Sequence, residues 1–289
     1  MKNDAYSGRL CAEEPWVLVF EDDFNGDTVD TQKWDIYVGV PRDYGFRKQK
    51  AYHQTENVTV QNGILKITAN REQKYNQQYW SPDGYTTADF DYTSGEIWSK
   101  QRFSFGKYEA RIKIPKGKGL WPAFWLYGDG TNGEEIDIFE FWNEKGNRYR
   151  RRLLSRVMHM TVHYDFDDNN RVEYIGYKKK AKDFSNDFHI FTLIYTKAYI
   201  KWLVDGELVA QHNRYTDIDD KESLCELLPD TEYRCNKLYP FRPLHIVLNL
   251  AIQHGRPEGG YDDDPDSTTP FPSSLEVDWV RYYVSSAQE

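Results

Sequence analysis

An all-β fold of antiparallel sheets is what this sequence predicts, and three observations predict it. Short runs alternate apolar and polar residues with the period of two that a half-buried strand requires. Asn62-Gly63 and Asp205-Gly206 each join two such runs, and both dipeptides favour the positive φ of tight hairpin turns. No long stretch carries the 3.6-residue apolar period of a helix, and no repeat or low-complexity linker divides the chain.

In chain order, residues 58–60 and 64–67 make the first hairpin, and 94–100 and 107–114 are the next strands. A Trp-rich run at 121–125 and an acidic run at 135–140 follow, then strands at 157–164 and 188–196. The second hairpin joins 199–204 to 208–210, and strands at 244–251 and 275–284 close the list. Segments 38–54, 71–93, 143–156 and 212–240 are long, polar and rich in Tyr, Arg and Asn, so they read as loops that hold specificity. The expected organisation is a flexible segment over 1–14 and a single domain over 15–285.

Composition narrows the function. The chain has 289 residues, enough for one large sandwich, and its 22 Tyr and 9 Trp can supply both a core and an aromatic binding surface. A net charge of −9 argues against nucleic acid, whose phosphates call for a basic surface. No apolar stretch approaches the roughly 18 residues needed to span a bilayer, and the amino terminus lacks a hydrophobic signal core. Three cysteines do not make a disulfide framework; Cys225 and Cys235 flank a short loop and either pair, leaving Cys11 single, or all three stay free thiols.

Glu135-Ile136-Asp137-Ile138-Phe139-Glu140 carries the chemistry, because it sets three carboxylates in six residues of an otherwise buried strand. Plain alternation puts Glu135 and Asp137 on one face and calls for an acid at 139, where Phe139 stands instead. One extra residue, a β-bulge, turns Phe139 away, brings Glu140 back to the acidic face and returns Phe141 to the apolar side. Carboxylates so close cannot all ionise freely, which divides them into an acid and an anion. A retaining glycosidase needs that division, with carboxyl groups about 5 to 5.5 Å apart. An acidic edge strand or a cation site would show the same letters.

Trp121-Pro122-Ala123-Phe124-Trp125 precedes the acids by one strand, with both indoles on one face at even spacing. Sugar rings present flat apolar C–H faces that indoles match in a wet groove, although tryptophans also serve as core. His163 lies on the next expected strand, where it is either a satisfied structural residue or a group beside the acids.

With these segments in view, the chain resembles glycoside hydrolase family 16, in the branch whose catalytic strand carries the bulge. The resemblance runs from Phe20-Glu21-Asp22-Asp23-Phe24-Asn25-Gly26 through Glu56-Asn57-Val58 and Gly106-Lys107-Tyr108-Glu109-Ala110-Arg111-Ile112. It continues through Lys116-Gly117-Lys118-Gly119-Leu120-Trp121 to Glu276-Val277-Asp278-Trp279-Val280-Arg281. It implies a concanavalin-like β-jelly roll of two antiparallel sheets with a concave substrate groove, and an endo-acting retaining β-glycanase. By resemblance Glu135 is the nucleophile, Glu140 the general acid/base and Asp137 the carboxylate that tunes the nucleophile.

His163 is then implied to hydrogen-bond near the acid/base and Asn57, in the Glu-Asn-Val segment, to donate to a sugar hydroxyl on the nonreducing side; Trp142, with the inward parity of Glu140, is expected to floor the leaving-group side. Catalysis needs no cofactor; a structural Ca2+ is expected at Asp23, Gly63 and Asp278, partly through backbone carbonyls. The expected partner is a polysaccharide, met by a monomer outside the cell, in the periplasm or on the cell surface, with any export signal already removed. The Trp-rich run most resembles β-1,3-glucanases of the laminarinase type. Against a neutral glucan stand Arg42, Arg47, Lys48 and Lys50, and a second group of Arg148, Arg150, Arg151, Arg152 and Arg156. These are either solvated surface or a site for a sulfated galactan such as porphyran, agar or carrageenan, since guanidinium forks bind sulfate. A non-catalytic glycan-binding protein is the remaining alternative, and it has no use for three acids on one bulged strand.

Overall fold

A computed structural model describes residues 15–40, 49–81, 84–128, 134–141, 155–163, 175–180, 183–214, 239–240, 242–254 and 264–286. Two antiparallel sheets face each other across one apolar core, as a jelly roll requires. The first contains β1 (Trp16–Asp22), β4 (Val58–Gln61), β5 (Ile64–Ala69), β10 (Gly106–Lys113), β15 (His189–Tyr195), β16 (Tyr199–Val204), β17 (Glu207–Asn213) and β19 (Ser273–Ser285). Its order is β17-β16-β15-β10-β19-β5-β4, with β1 also paired to β19. The second runs β14-β13-β12-β11-β18-β9-β2. Its strands are β2 (Trp34–Ile36), β9 (Glu96–Phe103), β11 (Leu120–Tyr127), β12 (Glu135–Glu140), β13 (Val157–His163), β14 (Ile175–Lys180) and β18 (Leu244–Ile252). Two minor pairs, parallel β3 (Ala51–His53) with β8 (Tyr92–Ser94) and antiparallel β6 (Lys74–Ser81) with β7 (Gly84–Phe90), complete the strands.

Alternation does the sorting. β10 reads buried and half-buried in turn along its length, sending Tyr108, Ala110 and Ile112 inward. Both dipeptide turns form as expected: Asn62 and Gly63 take φ of 56° and 73°, and Asp205 and Gly206 take 50° and 81°. Positive φ at both central positions matches the strand twist, and glycine meets it without a Cβ clash. The expected strands are all present.

One expected loop is not a loop. Segment 71–93 holds β6, β7 and β8. The β6–β7 hairpin stands apart from both large sheets, with Tyr75 and Tyr85 exposed, so neither face shows the apolar alternation that signals a strand. The sequence signal available was the Asp83-Gly84 dipeptide between two Tyr/Thr-rich runs. Segment 38–54 likewise contributes β3. Residues 1–14, Cys11, Cys225 and Cys235 lie outside the described residues.

Candidate active site

β12 is bulged as its sequence requires. On β11, Trp125 pairs with Asp137 and Phe124 with Phe139; on β13, Thr161 pairs with Asp137 and His159 with Glu140. β12 therefore carries one residue more than each neighbour across the bulge, three against two on β11 and four against three on β13. The extra residue lets Ile138 and Phe139 both enter the core, at 1% and 0% exposure, while Asp137 and Glu140 stay on the opposite face. Phe139 packs its ring 4.4 Å from that of Phe191 on the facing sheet. A second bond fixes the bulge from below: the buried indole N–H of Trp202, on β16, donates to the Asp137 carbonyl at 2.9 Å.

Around the acids the pairing builds rows across the sheet. Asp137 continues into Trp125, Val247 and Trp98; Glu140 into Ala123, Asn249 and Glu96; Glu135 into Tyr127 and His245. Ala123, Trp125 and Val247, flanked by Trp98 and Tyr127, form an apolar patch separate from the main core. Trp98 packs edge-on against Trp125 at 6.2 Å and Tyr127 at 5.6 Å. Each indole is also tethered through its N–H: Trp121 to Glu140 Oε1 at 2.9 Å, Trp125 to Asn249 Oδ1 at 2.9 Å and Trp98 to Glu96.

His163 sits directly across from Glu135, and its Nε2 lies 3.0 Å from Asp137 Oδ2 and 3.7 Å from Glu135 Oε1. The histidine across from Glu140 is His159. The His163 contacts are thus with Asp137 and Glu135, at the opposite end of the acidic strand from the acid/base position expected for it. Burial works against its imidazolium, but the Asp137 hydrogen bond and the charges of Asp137, Glu135 and Glu140 outweigh it and hold the pKa up at about 9. Glu135, Asp137 and His163 bring one potential metal-ligand atom each within 4.8 Å of one another. With the imidazole protonated the trio is a charge-paired cluster, His163 against Asp137 and Glu135.

Sequence reasoning missed Trp98, Tyr127, Glu96 and Asn249. Asn249 carried the same signal as the acids, a polar residue inside the apolar run Leu244–Ile252. It misplaced Asn57: this residue is 1% exposed, and its amide donates to the Thr68 carbonyl and, at 3.1 Å, to Thr93 Oγ1. Asn57 therefore ties the turn that leads into β4 to β5 and β8, and its amide nitrogen is not presented to a sugar.

Trp142, Arg47, Arg42, Lys48, Arg148, Arg150, Arg151 and Arg152 lie outside the described residues. The two members of the basic groups that are described are committed elsewhere, Lys50 to Asp264 at 2.6 Å and Arg156 to Asp183 at 3.8 Å. At the expected calcium position, pairing of Asp22 with Val280 and Val277 with Leu65 brings the three chain segments to one end of the first sheet. There Arg281 holds Asp23 at 3.0 Å and Arg111 holds Asp278 at 2.5 Å. A cation cage built on those two carboxylates does not fit; backbone carbonyls are what remains.

Comparison with known proteins agrees with this geometry. The profile described as "Glycosyl hydrolases family 16" matches residues 46–249. Glucan endo-1,3-beta-glucosidase A1 of Niallia circulans is 29% identical over 286 residues, covering 92% of this chain, which spans only 37% of that protein. Glucan endo-1,3-beta-glucosidase of Cryptopygus antarcticus is 30% identical, covering 93% of each chain. Kappa-carrageenase of Pseudoalteromonas carrageenovora is also 30% identical, covering 94% of this chain and 65% of the other. The endo-1,3-beta-glucanase (laminarinase) catalytic domain from Thermotoga petrophila RKU-1 superposes with a TM-score of 0.69 at 28% identity, covering 95% of this chain and all of that one. With a family profile over most of its length and a bulged strand bearing three carboxylates, this chain belongs to glycosyl hydrolase family 16.

Proposed function

We propose that this protein is an endo-acting, retaining β-glucanase that cuts internal linkages of a β-1,3-glucan or mixed-linkage β-glucan. The observation that carries the reading is the bulge: it puts Glu135, Asp137 and Glu140 on one face of one strand, beside an indole patch. In the mechanism this supports, Glu140 protonates the glycosidic oxygen as the Glu135 carboxylate attacks the anomeric carbon, giving a glycosyl ester and a free sugar hydroxyl. Water then attacks the same carbon, Glu140 takes its proton, and Glu135 leaves as carboxylate with the anomeric configuration retained. Trp121 orients the Glu140 carboxyl through Oε1, and Asp137, paired with His163, sets the position of Glu135.

Charge favours a neutral polymer. Among the described residues the rows beside the acids carry Glu96, Glu135, Asp137 and Glu140 against two cations, His163, held by Asp137, and Arg102, which donates to His245. A sulfate placed on that face would meet like charge, which costs several kcal/mol where desolvated. The sulfated galactan reading therefore rests on Arg42, Arg47 and Lys48 and on Arg148, Arg150, Arg151 and Arg152, all outside the described residues. An enzyme acting on a polymer that cannot cross a membrane would work outside the cell, in the periplasm or on the cell surface. One domain over residues 15–285, acting as a monomer, carries all three carboxylates. A calcium ion near Asp23, Gly63 and Asp278 would be held by backbone carbonyls and act on stability alone.

Azide rescue tests the assignment. With an activated aryl β-glucoside oligomer, Glu140→Gln should still form the glycosyl-enzyme and yield a β-glycosyl azide, whereas Glu135→Gln should yield inverted α-azide or nothing. Wild-type turnover of laminarin by either variant would sink the reading.

A further inference from the structure

We infer that Trp202 is a positioning residue for the reaction, holding the catalytic bulge from the far side of the core through its indole N–H. The inference rests on the reading of β12 as the catalytic strand. Trp202 belongs to the other sheet, where it pairs with Leu193 of β15 and Ala210 of β17. It is fully buried, and its N–H crosses the core to the Asp137 carbonyl at 2.9 Å. That carbonyl begins the peptide at which register is lost against both β11 and β13. A bulge carries a local break in the ladder, so its geometry has to be fixed by something other than regular pairing. Here the fixing group is a rigid, fully packed donor on the facing sheet.

The consequence lies on the opposite face. The same residue whose carbonyl Trp202 grips extends its carboxylate to His163 and stands two positions from Glu135 and three from Glu140. Rotation of the 137–138 peptide would move Asp137 and Glu140 relative to Glu135, and displacements near 1 Å are enough to lower a rate about a hundredfold. Packing alone makes no such demand: any apolar group of the same volume would fill the space.

The experiment separates the N–H from the ring. Replacing Trp202 with β-(3-benzothienyl)alanine exchanges the N–H for sulfur at nearly constant shape, and Trp202→Phe serves as a genetically simpler variant. Val204→Ala, a buried apolar truncation on the same strand, paired with Phe191 and carrying no polar group, is the stability control. On laminarin the benzothienyl enzyme should lose kcat roughly ten- to a hundredfold with KM within about twofold, the split expected of an interaction realised at the transition state. Val204→Ala should lower the melting temperature and leave kcat unchanged. The inference is overturned if the benzothienyl enzyme keeps kcat within twofold. It is overturned equally if its kcat falls only in proportion to folded fraction, since that is a packing role. Glu135→Gln and Glu140→Gln run alongside: their inactivity with full activity of the benzothienyl enzyme refutes Trp202 alone, and their activity refutes the assignment of the strand.

Discussion

His163 makes the stability of this enzyme fall on the alkaline side, by an amount the geometry sets. Its ring is largely buried, with 18% side-chain exposure, and Nε2 lies within 3.0 Å of Asp137 and 3.7 Å of Glu135. The folded pKa is about 9 against 6.5 for a free imidazole. A raised pKa means that the folded state binds the proton more tightly than the unfolded one. The stabilisation is fully present below pH 6.5 and is lost as pH rises through 9. At about 1.36 kcal/mol per pKa unit the gap corresponds to roughly 3 kcal/mol.

Urea unfolding at pH 6, 7.5, 9 and 10 measures it, on the wild type and on His163→Gln. The glutamine keeps a donor toward Asp137 but has no proton to lose. The wild-type free energy should drop by roughly 3 kcal/mol across that window while the variant curve stays nearly flat, so the two converge at high pH. His212 is the internal control: burial lowers its pKa to about 4, so it is already neutral throughout the window and His212→Gln should leave the slope intact. Parallel curves for wild type and His163→Gln would refute the charge pairing.

On the acid side, His53 and His212, lowered by burial to about 3 and about 4, should cost stability as pH falls below 6.5, and His212→Phe should flatten part of that loss in the same titration. Asp183 is a buried carboxylate held well below its usual range against the cost of burial by Lys116, Ser155 and Ser185, and Asp183→Asn should lower unfolding free energy by about 2 to 4 kcal/mol above pH 4; an unchanged urea midpoint would contradict it. Phe139→Ala, which empties the core position the bulge fills, should cost about 3 to 5 kcal/mol, whereas a surface phenylalanine would cost almost nothing. Calcium addition and chelation should leave kcat alone at saturating substrate, and a chelator that abolishes turnover would contradict the metal-free mechanism.

What the sequence made legible follows from period and punctuation. The two hairpins were readable because Asn-Gly and Asp-Gly each demand positive φ at adjacent residues, and alternation on either side set the register. The bulge was readable for a related reason: Phe139 breaks the parity of Glu135 and Asp137, and only one extra residue restores it. β6 and β7 were not readable by period, because β7 is exposed or half-buried along its length up to Phe90 and gives alternation no apolar side to report. Asn57 was misread because a short motif names a residue without naming what surrounds it; its amide nitrogen donates inside the fold to Thr68 and Thr93.

Trp202 marks the deeper boundary. Its inward parity within Tyr199–Val204 could be counted from the chain, and it announces a core tryptophan. Nothing in that count says that its N–H meets a carbonyl 65 residues away, on the other sheet. Parity fixes which face of its own sheet a side chain occupies; which atom it meets across the core depends on how two sheets are stacked and twisted, and that is decided by the whole chain. The acids are legible because their chemistry is local to one strand, whereas the bond that holds the strand in shape joins two sheets and becomes visible only when both are built.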